Sequence, residues 1–175
     1  MNANFYAGLG KAELIIRAGH VKRWHLVPMS VTQTIAEHQY NVAMLCMLIH
    51  PQPDFDTNIA ARWALIHDLP EVVTGDVPTH VKAANPELKS LLGEIESEAM
   101  PDTWNQLHVA MLEYPFTHRI FKACDLADTL RMAKYITNPK VREFVEAGLR
   151  PAFESHLAWC SPEGVTVLTD YVQNG

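Results

Sequence analysis

Of four side chains with metal-binding chemistry, His38, His67 and Asp125 stand where the surrounding pattern calls for apolar residues, and Asp68 follows directly on His67. His38 shares a helical face with Val42, Leu45 and Ile49, which follow it by four, seven and eleven residues, so its imidazole is directed at a core. His67 follows Trp63 by four residues on an inward stripe that includes Ile59, and Asp125 follows Phe121 by four on another helix. Taken singly, a buried histidine is more often an ordinary core residue than a ligand, and an isolated His-Asp pair says little. Taken together they pose a problem of buried charge, because an unpaired carboxylate in a core costs on the order of several kcal/mol. One divalent cation would satisfy all four, as borderline nitrogen and oxygen donors for zinc, manganese, cobalt, iron or nickel. Such an ion lowers the pKa of a bound water from roughly 15.7 to about 7, worth about 12 kcal/mol. No side chain offers as much alone.

Two further carboxylates stand close by in the chain. Glu71 falls three residues after Asp68, and Asp76 lies beside Gly75. Near an activated water such a group can orient it, take its proton and hand a proton to a leaving oxygen. Without the His-Asp pair, both would read as exposed turn residues. Positive charge lies upstream: between Glu13 and Glu37 no acidic residue occurs, whereas Arg17, His20, Lys22, Arg23 and His25 do. That segment is either a solvated basic loop or the holder of an anionic ligand.

The elements that must position these groups read as helices, punctuated by Pro and Gly. Helices are expected over residues 9–18, 31–50 (stopped by Pro51) and 57–68, with Thr57 as N-cap. Residues 69–84 have no sustained period, and such irregular stretches are where sites collect. Further helices are expected over 86–100, 101–113, 117–137, 140–148, 151–159 and 161–172, the last with a Ser-Pro start. No strand-like alternation competes. The expected class is all-α, a single bundle over residues 1–175 with the metal site in its core.

Composition excludes several functions. At 175 residues and 48% apolar content the chain can bury one sizeable core. Its longest apolar run, 42–49, falls well short of the roughly 18 residues of a membrane span, and the first residues lack the basic flank and apolar stretch of a leader, so a soluble, cytoplasmic protein is expected. Cys46, Cys124 and Cys160 are odd in number and form no C-x-x-C, which fits reduced core residues rather than disulfides or a cysteine zinc site. A net charge of −6 argues against a nucleic-acid polymer as partner, so any anionic ligand must be met by a local basic cluster.

The order His38, His67-Asp68, Asp125 resembles the signature of the HD-domain metal-dependent phosphohydrolases. Arg23-Trp24, Glu37-His38, His67-Asp68-x-x-Glu71, Thr74-Gly-Asp-x-Pro-Thr79, Val81-Lys82 and Lys122-x-x-Asp125 narrow the resemblance to one branch. That branch comprises the bacterial 5′-deoxynucleotidases and the related small dATP triphosphohydrolases of phages that replace adenine with 2-aminoadenine. The likeness runs from about Arg23 to Asp128. It implies an HD-domain helical bundle in which His38, His67, Asp68 and Asp125 hold one divalent ion, with zinc, cobalt and manganese the leading candidates and magnesium a candidate second ion carried by the substrate. It implies Glu71 as catalytic acid/base, Asp76 positioning the water or the sugar-side oxygen, and Arg23, Lys82 and Lys122 on phosphate oxygens, where the guanidinium fork suits phosphate. Trp24 would pack against the sugar and exclude a 2′-hydroxyl. Leu26 would touch the base, or is an ordinary buried leucine. The relatives carry Pro after the last Thr of the Thr74–Thr79 motif, whereas this chain has His80, which is either a further phosphate donor or a surface residue and bears on base preference. The resemblance also implies self-association.

The expected function is hydrolysis of the 5′ phosphoester of 2′-deoxynucleotides. The long acid-free segment, Lys22 and His80 favour a deoxynucleoside triphosphate, dATP by resemblance, giving deoxynucleoside and triphosphate; the alternative is a 5′-deoxynucleotidase acting on monophosphates. A rival of another class is a nucleotide-binding regulator that has lost hydrolysis, against which the intact Glu71 counts. Another is an iron oxygenase drawing further ligands from His20, His25 and His80; two irons and oxygen-dependent turnover would mark it.

Overall fold

The computed structural model describes residues 10–49 and 52–175, without the side chains of Lys11 and His80. Among the described residues ten helices follow one another, and the expected all-α class holds. The chain begins with α1 (Lys11–Ala18), then pairs β1 (Lys22–Arg23) antiparallel with β2 (Gln33–Thr34) before entering α2 (Ile35–Leu48). The pairing is absent from the sequence reading because two residues per strand are too few to show a period. It sets Arg23 opposite Gln33 at the mouth of the helix that carries His38.

Helix α2 starts four residues later than expected, at a capping box. Thr34 Oγ1 accepts from the Glu37 amide at 3.2 Å, and the Glu37 carboxylate accepts from the Thr34 amide at 2.7 Å, so two donors of the first turn are satisfied reciprocally. Thr34→Ala is expected to cost about 1 kcal/mol, or about 2–4 °C in Tm, measured by thermal melts of the cation-free protein. The expected stop, Pro51, lies outside the described residues.

Helix α3 (Thr57–Ala64) is capped by Asp56 rather than Thr57, the Asp56 side chain accepting from the Ile59 amide at 2.9 Å. It ends at Ala64, four residues before the expected Asp68. Pro70 has no N–H to donate and disfavours helical geometry at Leu69, so the chain descends through three-residue turns, Ile66 N to Trp63 O and Leu69 N to Ile66 O, both 3.0 Å. His67 and Asp68 therefore sit on a turn and not on a helix. The turn is anchored from outside by the Trp104 indole, which donates to Ile66 O at 2.8 Å. The short helices α4 (Glu71–Thr74) and α5 (Thr79–Ala84) follow, then α6 (Pro86–Ala99) and α7 (Asp102–Glu113).

The remaining helices are α8 (Pro115–Ala133), α9 (Pro139–Leu157) and α10 (Pro162–Asn174). Two helices expected over 140–148 and 151–159 are one, with Pro151 inside it. The proline removes one ladder hydrogen bond, but Leu149, Phe153 and Leu157 all face the core, and that packing outweighs the lost bond. Helix α8 packs against α2, α3, α7, α9 and α10. The core around it holds Val42, Leu45, Phe121, Leu130, Phe153 and Leu168. Among the described residues no helix is long and apolar enough to cross a membrane.

Candidate metal centre

His38 is fully buried on α2, and its two ring nitrogens face different partners. Nδ1 lies 2.7 Å from Asp128 Oδ2, while Nε2 lies 3.1 Å from Asp125 Oδ1 and 3.6 Å from Asp68 Oδ2. His67 arrives from the turn after α3, its ring 5.4 Å from that of His38 and edge-on to Phe121. Its Nδ1 stands 2.8 Å from Ala64 O, and because a carbonyl only accepts, Nδ1 carries the proton. Its Nε2 then presents a lone pair, 3.3 Å from Asp68 Oδ1 and 4.0 Å from Asp125 Oδ1. Both Nε2 atoms are buried and lack a hydrogen-bond partner, an arrangement that is costly unless something else binds there.

Donor atoms of His38, His67 and Asp68 lie within 4.8 Å of one another, and Asp125 stands against both imidazoles. Donors about 2.1 Å from a tetrahedral ion are about 3.4 Å apart. The observed separations of 3.1, 3.3, 3.6 and 4.0 Å, with Asp68 meeting His38 through Oδ2 and His67 through Oδ1, straddle that spacing, so His38, His67 and Asp68 form a group able to hold one divalent cation, with Asp125 beside both imidazoles. The histidine side chains are 0% and 6% exposed, whereas Asp68 and Asp125 are 20% and 14%, which places the opening to solvent on the carboxylate side.

The electrostatics suit a cation. Burial pulls His67 below the usual histidine range, against the opposing pull of Asp68 and Asp125, and so favours the neutral ring. For His38 burial and Arg23 act in the same downward sense, but the adjacent Asp125 carboxylate and the hydrogen bond to Asp128 outweigh them and raise it. Burial would raise Asp125 and Asp68; instead Lys122 and His38 hold Asp125 well below the usual carboxylate range, and His67 and Arg23 lower Asp68. Glu71 goes the other way. It is buried, its Oε2 has no partner, and burial with the charges of Asp68 and Asp76 pushes it up to about 9.

The three basic residues are each paired with a carboxylate of this cluster. Arg23 Nη1 donates to Asp68 Oδ2 at 2.8 Å and Nη2 to Thr129 Oγ1 at 3.3 Å, leaving its buried Nε without a partner. Lys122 Nζ lies 2.7 Å from Asp125 Oδ2, and Lys82 Nζ lies 3.5 Å from Glu71 Oε1. Trp24, next to Arg23, holds a left-handed backbone at φ 61°, a strained conformation for a bulky residue, and its buried indole N–H has no partner. Leu26 is 68% exposed, which removes the reading as a buried leucine. His20 and His25 are exposed and take no place among the four donors; the side chain of His80 lies outside the described residues.

Asp128 escapes the sequence reading. It is fully buried on α8 behind His38, and Gln33, Asn41, Arg131 and Tyr171 all donate to it. Its place three residues after Asp125, one turn along the same helix, is the signal that could have found it.

Known proteins resemble this chain over most of its length. The family described as 5′-deoxynucleotidase YfbR-like matches residues 12–147. A dATP triphosphohydrolase of Cyanophage S-2L is 37% identical over 122 residues, covering 68% of this chain and 67% of that protein. A 5′-deoxynucleotidase of Shewanella oneidensis is 29% identical over 142 residues, covering 73% and 70%. Among solved structures, the Cyanophage S-2L HD phosphohydrolase (DatZ) bound to dA and one catalytic Zn2+ ion superposes with a TM-score of 0.79 at 28% identity, over 95% of this chain and 99% of that one.

Proposed function

The chain belongs to the YfbR-like 5′-deoxynucleotidase family, and on that footing we propose that it is a metal-dependent hydrolase of the 5′ phosphoester of 2′-deoxynucleotides, acting on dATP to give deoxyadenosine and triphosphate. One observation carries this function: two buried imidazoles, unpartnered at Nε2, face the carboxylates of Asp68 and Asp125, with the buried Glu71 beside the same cluster. A divalent cation on His38, His67, Asp68 and Asp125 supplies Lewis acidity and an activated water. Zinc leads the candidates, because it occupies the S-2L phosphohydrolase, with cobalt and manganese behind it.

The remaining work falls to the protein. Glu71, whose carboxyl is pushed up to about 9 by burial and by Asp68 and Asp76 in the cation-free chain, is the group placed to give a proton to the departing 5′ oxygen, which would otherwise leave as an alkoxide. Asp76, whose charge Glu71 feels, positions the water or the sugar-side oxygen. Arg23, Lys82 and Lys122, which now face Asp68, Glu71 and Asp125, would hold the phosphate oxygens of the substrate. The cyanophage S-2L relative, a dATP triphosphohydrolase, favours the triphosphate as substrate. Self-association, a cytoplasmic place of action and a mononucleotide rather than a polymer substrate belong to the same proposal.

The monophosphate reading is favoured by the family match and by the Shewanella relative, so the deciding experiment is product identification. The metal-loaded protein is incubated with dAMP, dATP, ATP and dGTP. Tripolyphosphate from dATP supports the triphosphohydrolase, orthophosphate from dAMP the nucleotidase, and no phosphate product from any of them removes both. Trp24 supports selection for deoxyribose through its strained, rigid placement beside Arg23. Trp24→Ala is expected to lower the ratio of dATP to ATP turnover by about 10–100-fold, as kcat/KM for the two substrates; an unchanged ratio removes the role.

A further inference from the structure

We infer that Asp128 is the positioning residue of the metal centre and that the C-terminal helix α10, through Tyr171, holds it there. This rests on the proposed metal-dependent function, but it concerns residues that no ligand needs to touch. Asp128 Oδ2 accepts from His38 Nδ1 and from Gln33 Nε2, both at 2.7 Å. Oδ1 accepts from Tyr171 Oη at 2.7 Å, Asn41 Nδ2 at 3.1 Å, and Arg131 Nη2 and Nε at 3.2 and 3.3 Å. Donors from β2, α2, α8 and α10 thus converge on one fully buried carboxylate. A side chain that only filled space there would need none of them, and burying a charge for packing alone is unfavourable.

The arrangement settles which nitrogen of His38 faces the cluster. An ionised carboxylate can only accept, so Nδ1 carries a proton and Nε2 is the nitrogen that faces Asp68 and Asp125, placed to offer its lone pair to a cation there. His67 reaches the same state through Ala64 O, so the protein has two different devices for one outcome. The three donors on Oδ1 serve the second purpose of fixing the carboxylate in rotation. Tyr171 is the long-range member: it lies 43 residues from Asp128, beyond residues 12–147 of the family match, and its ring also lies 5.3 Å from the Arg131 guanidinium. The C-terminal helix is thereby part of the metal centre.

Asp128→Asn tests the assignment with little change of shape. Tyr171, Asn41 and Arg131 draw the amide oxygen to their side, which turns the amide NH2 toward His38 and Gln33. Gln33 can adapt, because its Oε1 is buried and unpartnered. His38 cannot: it must accept at Nδ1 and move its proton to Nε2, where the cation belongs. The measurements are Zn2+ and Co2+ affinity by chelator competition without nucleotide, and the His38 tautomer by 15N NMR, with cation-free melts as a check on folding. The expected result is a loss of affinity of about 10–100-fold with the proton transferred to Nε2, and a smaller loss in the same direction for Tyr171→Phe. Wild-type affinity and tautomer in a folded Asp128→Asn protein overturn the inference, and should that variant not fold, unchanged affinity in Tyr171→Phe does so. Should the wild type bind no more tightly than His67→Ala, the metal-dependent function falls as well, which separates the two failures.

Discussion

Glu71→Gln is expected to reduce kcat by about 10²–10⁴-fold, the range a positioned acid/base contributes, while cation binding is retained and the cation-free protein becomes more stable. The opposite signs of the two effects come from one property. Glu71 sits buried beside the negative charges of Asp68 and Asp76, so its folded pKa is about 9 against 4.5 for the ordinary carboxyl group. At neutral pH the folded protein therefore holds a proton that the unfolded chain releases. Folding is uncompromised below about pH 4.5, is penalised progressively as pH rises, and the penalty levels off above about pH 9. Gln has the same shape and no proton to lose. The stability difference between variant and wild type should accordingly open between pH 5 and 9, reaching about 1–3 kcal/mol with allowance for the facing Lys82 ammonium. Urea melts at several pH values, without cation, check the stability, and single-turnover rates with cation check the chemistry. A variant that keeps wild-type turnover would leave Glu71 without its role.

The candidate ligands of this site were easier to anticipate than the groups that orient them. His38 and Asp125 were legible because each interrupts an apolar face at a fixed helical spacing, and that spacing holds. His67 and Asp68 were legible as a pair but misplaced, since Pro70 acts backward on the chain and ends α3 at Ala64. The turn does better than a helix would, because it directs Nε2 of one residue and the carboxylate of the next at the same point. Asp128 was within reach of the helical period from Asp125, but Gln33, Asn41 and Tyr171 could not be found by periodicity. Their meaning is a set of hydrogen bonds between segments up to 95 residues apart, and nothing in a local pattern records a tertiary donor. The same limit made one helix look like two at Pro151, where Phe153 and its neighbours decide the outcome by packing on α8.

The second large effect is expected from His67→Ala, which should abolish the thermal response to cation and cost at least about 10³-fold in turnover. Lewis-acid catalysis is worth several kcal/mol, and each 1.36 kcal/mol is about tenfold in rate. A cation that binds only the folded chain stabilises it by about 2.7 kcal/mol at one hundred times its dissociation constant, which for a chain of this size is about 5–10 °C in Tm. The wild type should show that rise with zinc or cobalt and lose it with a chelator. In the variant the Nε2 donor is gone, while Ala64 O loses only a partner at the edge of the site. The cation-free protein itself should change little by comparison, because the ring removed carries an unpartnered buried nitrogen, and deleting that cost offsets part of the lost edge contact with Phe121. Adding imidazole should restore part of both responses, since the cavity left beside Phe121 has the shape of the missing ring. Retention of the cation-induced rise in Tm by His67→Ala would show that the ion binds elsewhere, and the four converging side chains would then need another explanation.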